Sequence, residues 1–200
     1  MFFATTLTPP REKSENWTGL STGINLSTSK SITDWTIDLL EVRPYQHILE
    51  LGCGGGSTIQ ELSRRLKVGF LAGIEESMPL FRKAYRRNRK LIQRELLQLH
   101  LGGIQDLQYP HHYFHSIYGA NIHFRWKEPQ WVFSQMTSLL KSGGRLVMVF
   151  QPEWCNTQRD IEDAAARIKS EYQHAGLSRI QLEFRDLYPT TGIAITGFKD

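Results

Sequence analysis

The sequence predicts an α/β fold, a three-layer sandwich around a mostly parallel seven-stranded sheet with an antiparallel last strand. Three observations carry that expectation. Short apolar runs alternate with longer amphipathic stretches, the pattern of a parallel sheet covered on both faces. A strand over residues 48–51 runs into the glycine-dense turn Gly52-Cys53-Gly54-Gly55-Gly56, and a helix begins at once. Two candidate strands end the chain with no helix between them, which favours an antiparallel finish.

The first 32 residues are polar, rich in Thr, Ser, Gly and Pro, with Trp17 the one large anchor, and read as an irregular arm. From Thr33, Trp35, Ile37, Leu39, Leu40 and Val42 suit a short amphipathic helix stopped before Pro44. After the glycine turn, Ser57 can cap a helix reaching about Lys67, with Ile59, Leu62 and Leu66 on one face. Residues 68–74 form the second strand, which ends at Glu75 and Glu76. A basic helix follows over 79–94, with proline in its first turn. Residues 97–101 and 115–120 give the third and fourth strands. A helix over 131–140 closes at Ser142-Gly143-Gly144 before a strong strand at 145–150. A last helix over 159–174 ends at Gly176, and strands at 180–184 and 192–198 complete the sheet. No repeat or linker interrupts the chain, so residues 1–200 read as one domain.

A hydrophobic content of 40% suffices for a full core and excludes disorder as the general state. No apolar run approaches the length of a membrane span, and the start lacks the basic and apolar regions of a signal peptide. Cys53 and Cys155 stand far apart, which excludes a cysteine-based zinc site and favours a reducing cytoplasm. Much of the net charge of +4 sits in residues 82–90. A solvated helix face explains that stretch more simply than a nucleic-acid patch.

In an open α/β sheet the ligand lies beyond the carboxyl ends of the strands, where strand order switches. Three segments occupy such ends: the glycine loop, Glu75, and Gly103-Ile104-Gln105-Asp106. Gly52, Gly54 and Gly56 fall on alternate positions, so the backbone can turn sharply and admit a ligand. Glu50 puts a carboxylate just before the turn, where a phosphate-binding loop would want none, and so points to a ligand with cationic groups. Glu75 stands nineteen residues beyond Gly56, near the spacing at which an acid accepts from both ribose hydroxyls. A tight turn beside a solvent-facing acid is the plainer alternative.

Read in order, residues 48–56, Gly73-Ile74-Glu75-Glu76-Ser77, Leu107-Gln108-Tyr109-Pro110, residues 121–129 and Leu140-Lys141-Ser142-Gly143-Gly144 resemble motifs of one family. The family is the class I, Rossmann-like S-adenosylmethionine-dependent methyltransferases, in their small bacterial form. The resemblance covers residues 33–150 well and the remainder loosely. It implies S-adenosylmethionine as cofactor. Gly52, Cys53 and Gly54 would pass along its methionine and ribose part through backbone atoms. Glu50 would lie near its ammonium, Glu75 on the ribose hydroxyls, and Ile104 on the adenine. Ala120 and Asn121 would sit near the transferable methyl. Three positions depart from the family pattern. Gly103 stands where an acid usually accepts from the adenine amine, Glu76 where an apolar residue lies on the ring, and His115 for the aspartate that opens the fourth strand. Gln105 or Asp106 can take the acid's part, and Met78 can pack on the adenine with Glu76 turned outward.

Methyl transfer from a sulfonium needs alignment first and a base only when the acceptor must lose a proton. His123, past the fourth strand, is the best candidate base, although a histidine bonded to a backbone carbonyl is the commoner case. His111, His112 and His115 fit neither a two-histidine helix motif nor a zinc finger, so no metal is expected. Trp126, Trp131 and Trp154 can line an acceptor pocket, with core packing as the default. A small-molecule acceptor is favoured because no added recognition domain follows the core, and the arm can close over the cofactor. The alternatives are an RNA- or protein-modifying methyltransferase, with the basic helix meeting an anionic partner, and a non-catalytic S-adenosylmethionine-binding protein.

Overall fold

The computed structural model describes residues 32–122, 126–152, 155, 157–187 and 190–200. Trp17, His123, Trp154 and all of the expected arm except Ile32 lie outside the described residues. The elements are α1 (Ile32–Leu40), β1 (His47–Leu51), α2 (Ser57–Ser63), β2 (Phe70–Glu75), α3 (Met78–Arg87), α4 (Arg89–Gln93) and β3 (Leu97–Leu101). A 3₁₀ turn at Ile104–Asp106 then leads to β4 (Phe114–Ala120), α5 (Pro129–Leu139), β5 (Leu140–Phe150), α6 (Gln158–His174), β6 (Leu177–Arg185) and β7 (Gly192–Lys199).

The strands form one sheet in the order β3-β2-β1-β4-β5-β7-β6. β7 runs antiparallel to both of its neighbours, β5 and β6, and every other pair is parallel. Strand order reverses at β1, whose partners are β2 on one side and β4 on the other. That reversal puts the ligand crevice at the carboxyl end of β1.

Alternation along β1 explains the layers. Ile48 faces a cluster with Trp35, Leu40, Ile59, Leu62 and Ala84, so α1, α2 and α3 cover one face. Leu49 and Leu51 face Phe133, Met136, Ile168 and Tyr172, so α5 and α6 cover the other. Glu50, on the Ile48 side, is the one acid in β1, set between Leu49 and Leu51.

Several boundaries differ from the sequence reading for local reasons. Gly56, not Ser57, occupies the cap of α2; it is left-handed at φ 70°, and no side chain caps the helix, which stops at Ser63. The basic helix breaks at Asn88, whose Nδ2 donates to the Gly56 carbonyl at 2.9 Å and to the Ala84 carbonyl at 3.1 Å. A buried amide serving two elements competes with the helical ladder. Ser142-Gly143-Gly144 does not precede β5 but lies within it, left-handed at Gly143 (φ 73°), beside a register shift against β4. α6 begins one residue earlier than expected, at Gln158, because Thr157 and Asp160 form a capping box: the Asp160 N–H donates to Thr157 Oγ1 at 3.2 Å, and the Thr157 N–H to Asp160 Oδ2 at 2.9 Å.

His115 sits at the amino edge of the sheet, away from the crevice. Its Nδ1 accepts from the His47 N–H at 2.9 Å, and Lys141 Nζ lies 3.4 Å from its Nε2. Among the described residues no three His, Cys, Asp or Glu are arranged to hold a metal. Burial, and then the Lys141 charge, hold both His47 and His115 below the usual histidine value. The unfolded chain therefore binds protons more readily near pH 6. Stability from this pair is full above about pH 6.5 and falls as pH drops through the lowered folded values. Burial of Glu50, whose raised carboxyl favours the folded state at lower pH, acts the opposite way, so the pair is read by difference: from pH 7.5 to 5 the urea midpoint of the wild type should fall relative to that of the double variant His47→Phe, His115→Asn.

Candidate functional site

The glycine loop is held by its own backbone and from one side by α3. Gly52 (φ 65°), Gly54 (φ 53°) and Gly56 (φ 70°) are all left-handed, a conformation that costs other residues roughly 1–2 kcal/mol each. The Cys53 N–H donates to the Ile74 carbonyl at 2.9 Å, and the Cys53 carbonyl accepts from the Gly56 N–H at 2.8 Å. The Cys53 side chain is buried, and burial pushes its thiol up, so it is inert. From outside, Arg87 Nη1 donates to the Gly55 carbonyl at 2.8 Å. A Cβ on Gly56 would lie 3.0 Å from the Ala84 backbone, which leaves no room for one. A Cβ on Gly54 would meet nothing within 4 Å. The loop is thus packed on its α3 side and open at Gly54.

Two carboxylates flank that opening. Glu75, 8% exposed, accepts from the Gly54 N–H through Oε2 at 2.8 Å and from the Ser77 N–H through Oε1 at 2.9 Å. Each oxygen keeps a further lone pair for a ligand hydroxyl. The plain alternative of a solvent-facing acid is not what the structure contains.

Glu50 is 6% exposed and pairs in register with Tyr118 of β4. Burial raises its carboxyl to about 8; Tyr118 and Thr58 offset part of the rise and the Glu75 charge adds to it. Glu50 Oε2 and the Tyr118 hydroxyl are buried and face each other, but neither reaches the geometry of a full hydrogen bond among the described residues. A buried carboxyl with an orphaned oxygen is expensive unless a cation or donor arrives.

Apolar side chains border the acids at the ends of β2 and β3. Met78 and Leu101 are 42% and 41% exposed, and Ile104 is half-buried. Glu76 is exposed, as a position turned outward requires. Gly103 is buried; its N–H donates to Asp106 Oδ2 at 2.8 Å, and the Gln105 side chain lies over its Cα. Asp106 is thereby tied to the turn, which leaves Gln105 as the freer polar group beside Gly103.

Past β4, Ala120 is half-buried and Asn121 is left-handed at φ 55°, a conformation asparagine tolerates. The Asn121 N–H donates to the Val149 carbonyl at 2.9 Å, and Oδ1 accepts from the Gln151 N–H at 2.8 Å. This reversal lays Ile122 across the loop: its side chain fills the space where a Cβ on Gly52 or Gly119 would stand. Sequence reasoning missed Ile122, because nothing local signals the turn at Asn121. It also missed Tyr118, which strand alternation opposite Glu50 could have found. Trp126 packs edge-on against Phe133 in the core, and Trp131 lines a groove with Arg167, Glu171 and His174, so neither borders the glycine loop.

Comparison with known proteins agrees with this geometry. Residues 48–144 match a family described as a methyltransferase domain. The chain is 24% identical over 172 residues to the uncharacterized methyltransferase YdaC of Bacillus subtilis, covering 86% of this chain and 93% of that one. It superposes on a SAM-dependent methyltransferase from Aquifex aeolicus with a TM-score of 0.68 at 13% identity, over 84% of this chain and 89% of that one. The [4+2]-cyclase SpnF superposes at a TM-score of 0.65 and 15% identity, over 84% and 80%. A fold shared with a cyclase shows why the assignment rests on sequence family and site as well as on shape. The methyltransferase match spans just under half of the chain, and the fold and glycine loop agree with it; together they support a class I methyltransferase whose methyl donor is S-adenosylmethionine.

The open side of Gly54 provides a direct check on the cradle. Gly54→Ala meets no neighbour, so it should lower stability by only about 1–2 kcal/mol of backbone strain. S-adenosylmethionine binding, read by calorimetry, should fall far more than that loss explains. Affinity that merely tracks stability would place the ligand elsewhere.

Proposed function

We infer that the chain transfers a methyl group from S-adenosylmethionine to a small-molecule acceptor. The observation that carries the cofactor placement is the orphaned, buried Glu50 carboxyl at the mouth of the glycine cradle. When bound, the cofactor supplies an electrophilic methyl on a sulfonium. Glu50 receives the ligand's ammonium, and Glu75 accepts from the ribose hydroxyls. Gly52, Cys53 and Gly54 follow the methionine and ribose part with backbone atoms. Met78, Leu101 and Ile104 offer apolar surface to the adenine, with Glu76 outside and Gln105 beside Gly103 as polar partner. Ala120 and Asn121 border the transferred methyl, and Ile122 shields that end from water. Holding donor and acceptor in line accounts for most of the rate in this reading, worth up to about 7–11 kcal/mol in favourable cases. His123 is the candidate base where the acceptor must lose a proton.

The compact sheet and its covering helices support a small acceptor. The cations of α3 favour a second reading, a macromolecular acceptor. Incubation of a metabolite extract and of total RNA and protein with methyl-labelled cofactor separates them. Label in the low-mass fraction supports the first reading, and label confined to RNA or protein replaces it. No heat with millimolar S-adenosylmethionine would sink both.

Glu50 also predicts a proton linkage. Free, its carboxyl titrates near 8, so at neutral pH it holds a proton that an arriving ammonium must displace. Cofactor affinity should therefore rise between pH 5.5 and 7.5, approaching tenfold per pH unit, with one proton released on binding. Calorimetry in buffers of different ionisation enthalpy measures that release. Glu50→Gln should bind more weakly and without the slope.

A further inference from the structure

The chain's charge is strongly uneven. Ten of its twenty-four Lys and Arg lie between residues 64 and 94, against two of its twenty acids. Those two acids are spoken for or displaced: Glu75 is turned onto Gly54 and Ser77, and Glu76 sits at the crevice edge. α2, α3 and α4 pack on the same face of the sheet. Arg64 is paired with Glu61. Arg82, Arg86, Arg89, Lys90 and Arg94 are exposed and make no ion pair among the described residues. Between them Tyr85 is 46% exposed, with its ring centroid 6.4 Å from that of Phe81.

We propose that this face of α3 and α4 binds single-stranded nucleic acid, with Arg82, Arg86, Arg89, Lys90 and Arg94 on the phosphates and Tyr85 stacking on a base. Guanidinium groups predominate over ammonium groups, which suits paired contacts to phosphate oxygens. An exposed aromatic ring among cations is the stacking platform that unpaired bases use and duplexes do not. An anionic membrane fits worse, because a membrane-bound helix must spend its apolar face on lipid. Here that face is already used: Ala84, Leu91 and Ile92 pack into the core with Leu62 and Leu97. The proposal rests on charge and exposure alone and stands whichever acceptor is methylated.

The test is fluorescence anisotropy of a labelled 20-nucleotide oligouridylate with the full chain and no cofactor. Binding should be measurable in 50 mM NaCl. For five phosphate contacts it should weaken about a hundredfold by 200 mM, following the single-strand counterion slope. The variant Arg82→Glu, Arg86→Glu, Arg89→Glu should reduce affinity in 50 mM salt at least tenfold, and Tyr85→Ala about tenfold. Should the triple variant fail to fold, Arg86→Ala with Arg89→Ala keeps the same comparison. No binding in 50 mM salt, or binding unchanged by these substitutions, overturns the proposal. So does tighter binding to a 20-base-pair duplex or to phosphatidylserine–phosphatidylcholine vesicles than to the single strand. Melting curves and cofactor calorimetry on the same variants keep a failed surface distinct from a failed cofactor site.

Discussion

The handedness of one loop governs the rest of this structure. With Gly52, Gly54 and Gly56 all left-handed, the chain leaves β1, doubles back under the end of β2 and enters α2 within five residues. Two hydrogen bonds to β2 hold it there, from the Cys53 N–H to Ile74 and from the Gly54 N–H to Glu75. The neighbouring elements conform to the loop. α3 gives up its continuity at Asn88 so that an amide can reach the Gly56 carbonyl. α2 starts without a side-chain cap because its capping position must be a left-handed glycine. In both places local helix propensity yields to the geometry of the crevice.

Glu50 is the opposite kind of feature, one that the fold tolerates and does not need. Its strand neighbours are apolar, it faces the core, and an apolar side chain of similar size would satisfy the packing. Protonation is what makes the carboxyl tolerable, since a neutral acid costs far less to bury than a carboxylate. Tyr118 stands in register beside it with an equally unpartnered hydroxyl. Two buried polar groups facing each other at the switch point of an α/β sheet are what a ligand site there would require and what the packing alone would not.

The sheet was legible because its central strands are apolar on both sides and its helices amphipathic, so period largely separates them. Strand direction followed from the connections, including the antiparallel last strand, while the order of the strands came from the structure. Boundaries set by long-range contacts were not legible. Asn88 breaks a sequence that reads as unbroken helix only because Gly56 is near, and Gly143 sits inside a strand only because β4 shifts register beside it. In the crevice, Glu50, Glu75 and the glycines were readable from residue type and spacing. Ile122 was not, because its place over Gly52 depends on the left-handed turn at Asn121. That asparagine would serve equally well in an ordinary loop.

The loop also separates charge. On its inner side stand Glu50 and Glu75; on its outer side Lys83 and Arg87 lie against Gly55. No cation figures among the influences on Glu50, whose carboxyl a nearby guanidinium would hold low. The seven cations of residues 82–94 are thus kept from the acids that lie one turn of chain away. The bond from Arg87 to the Gly55 carbonyl holds that guanidinium on the outer side of the loop, opposite the two acids, so the loop separates the positive surface of α3 from the acidic crevice.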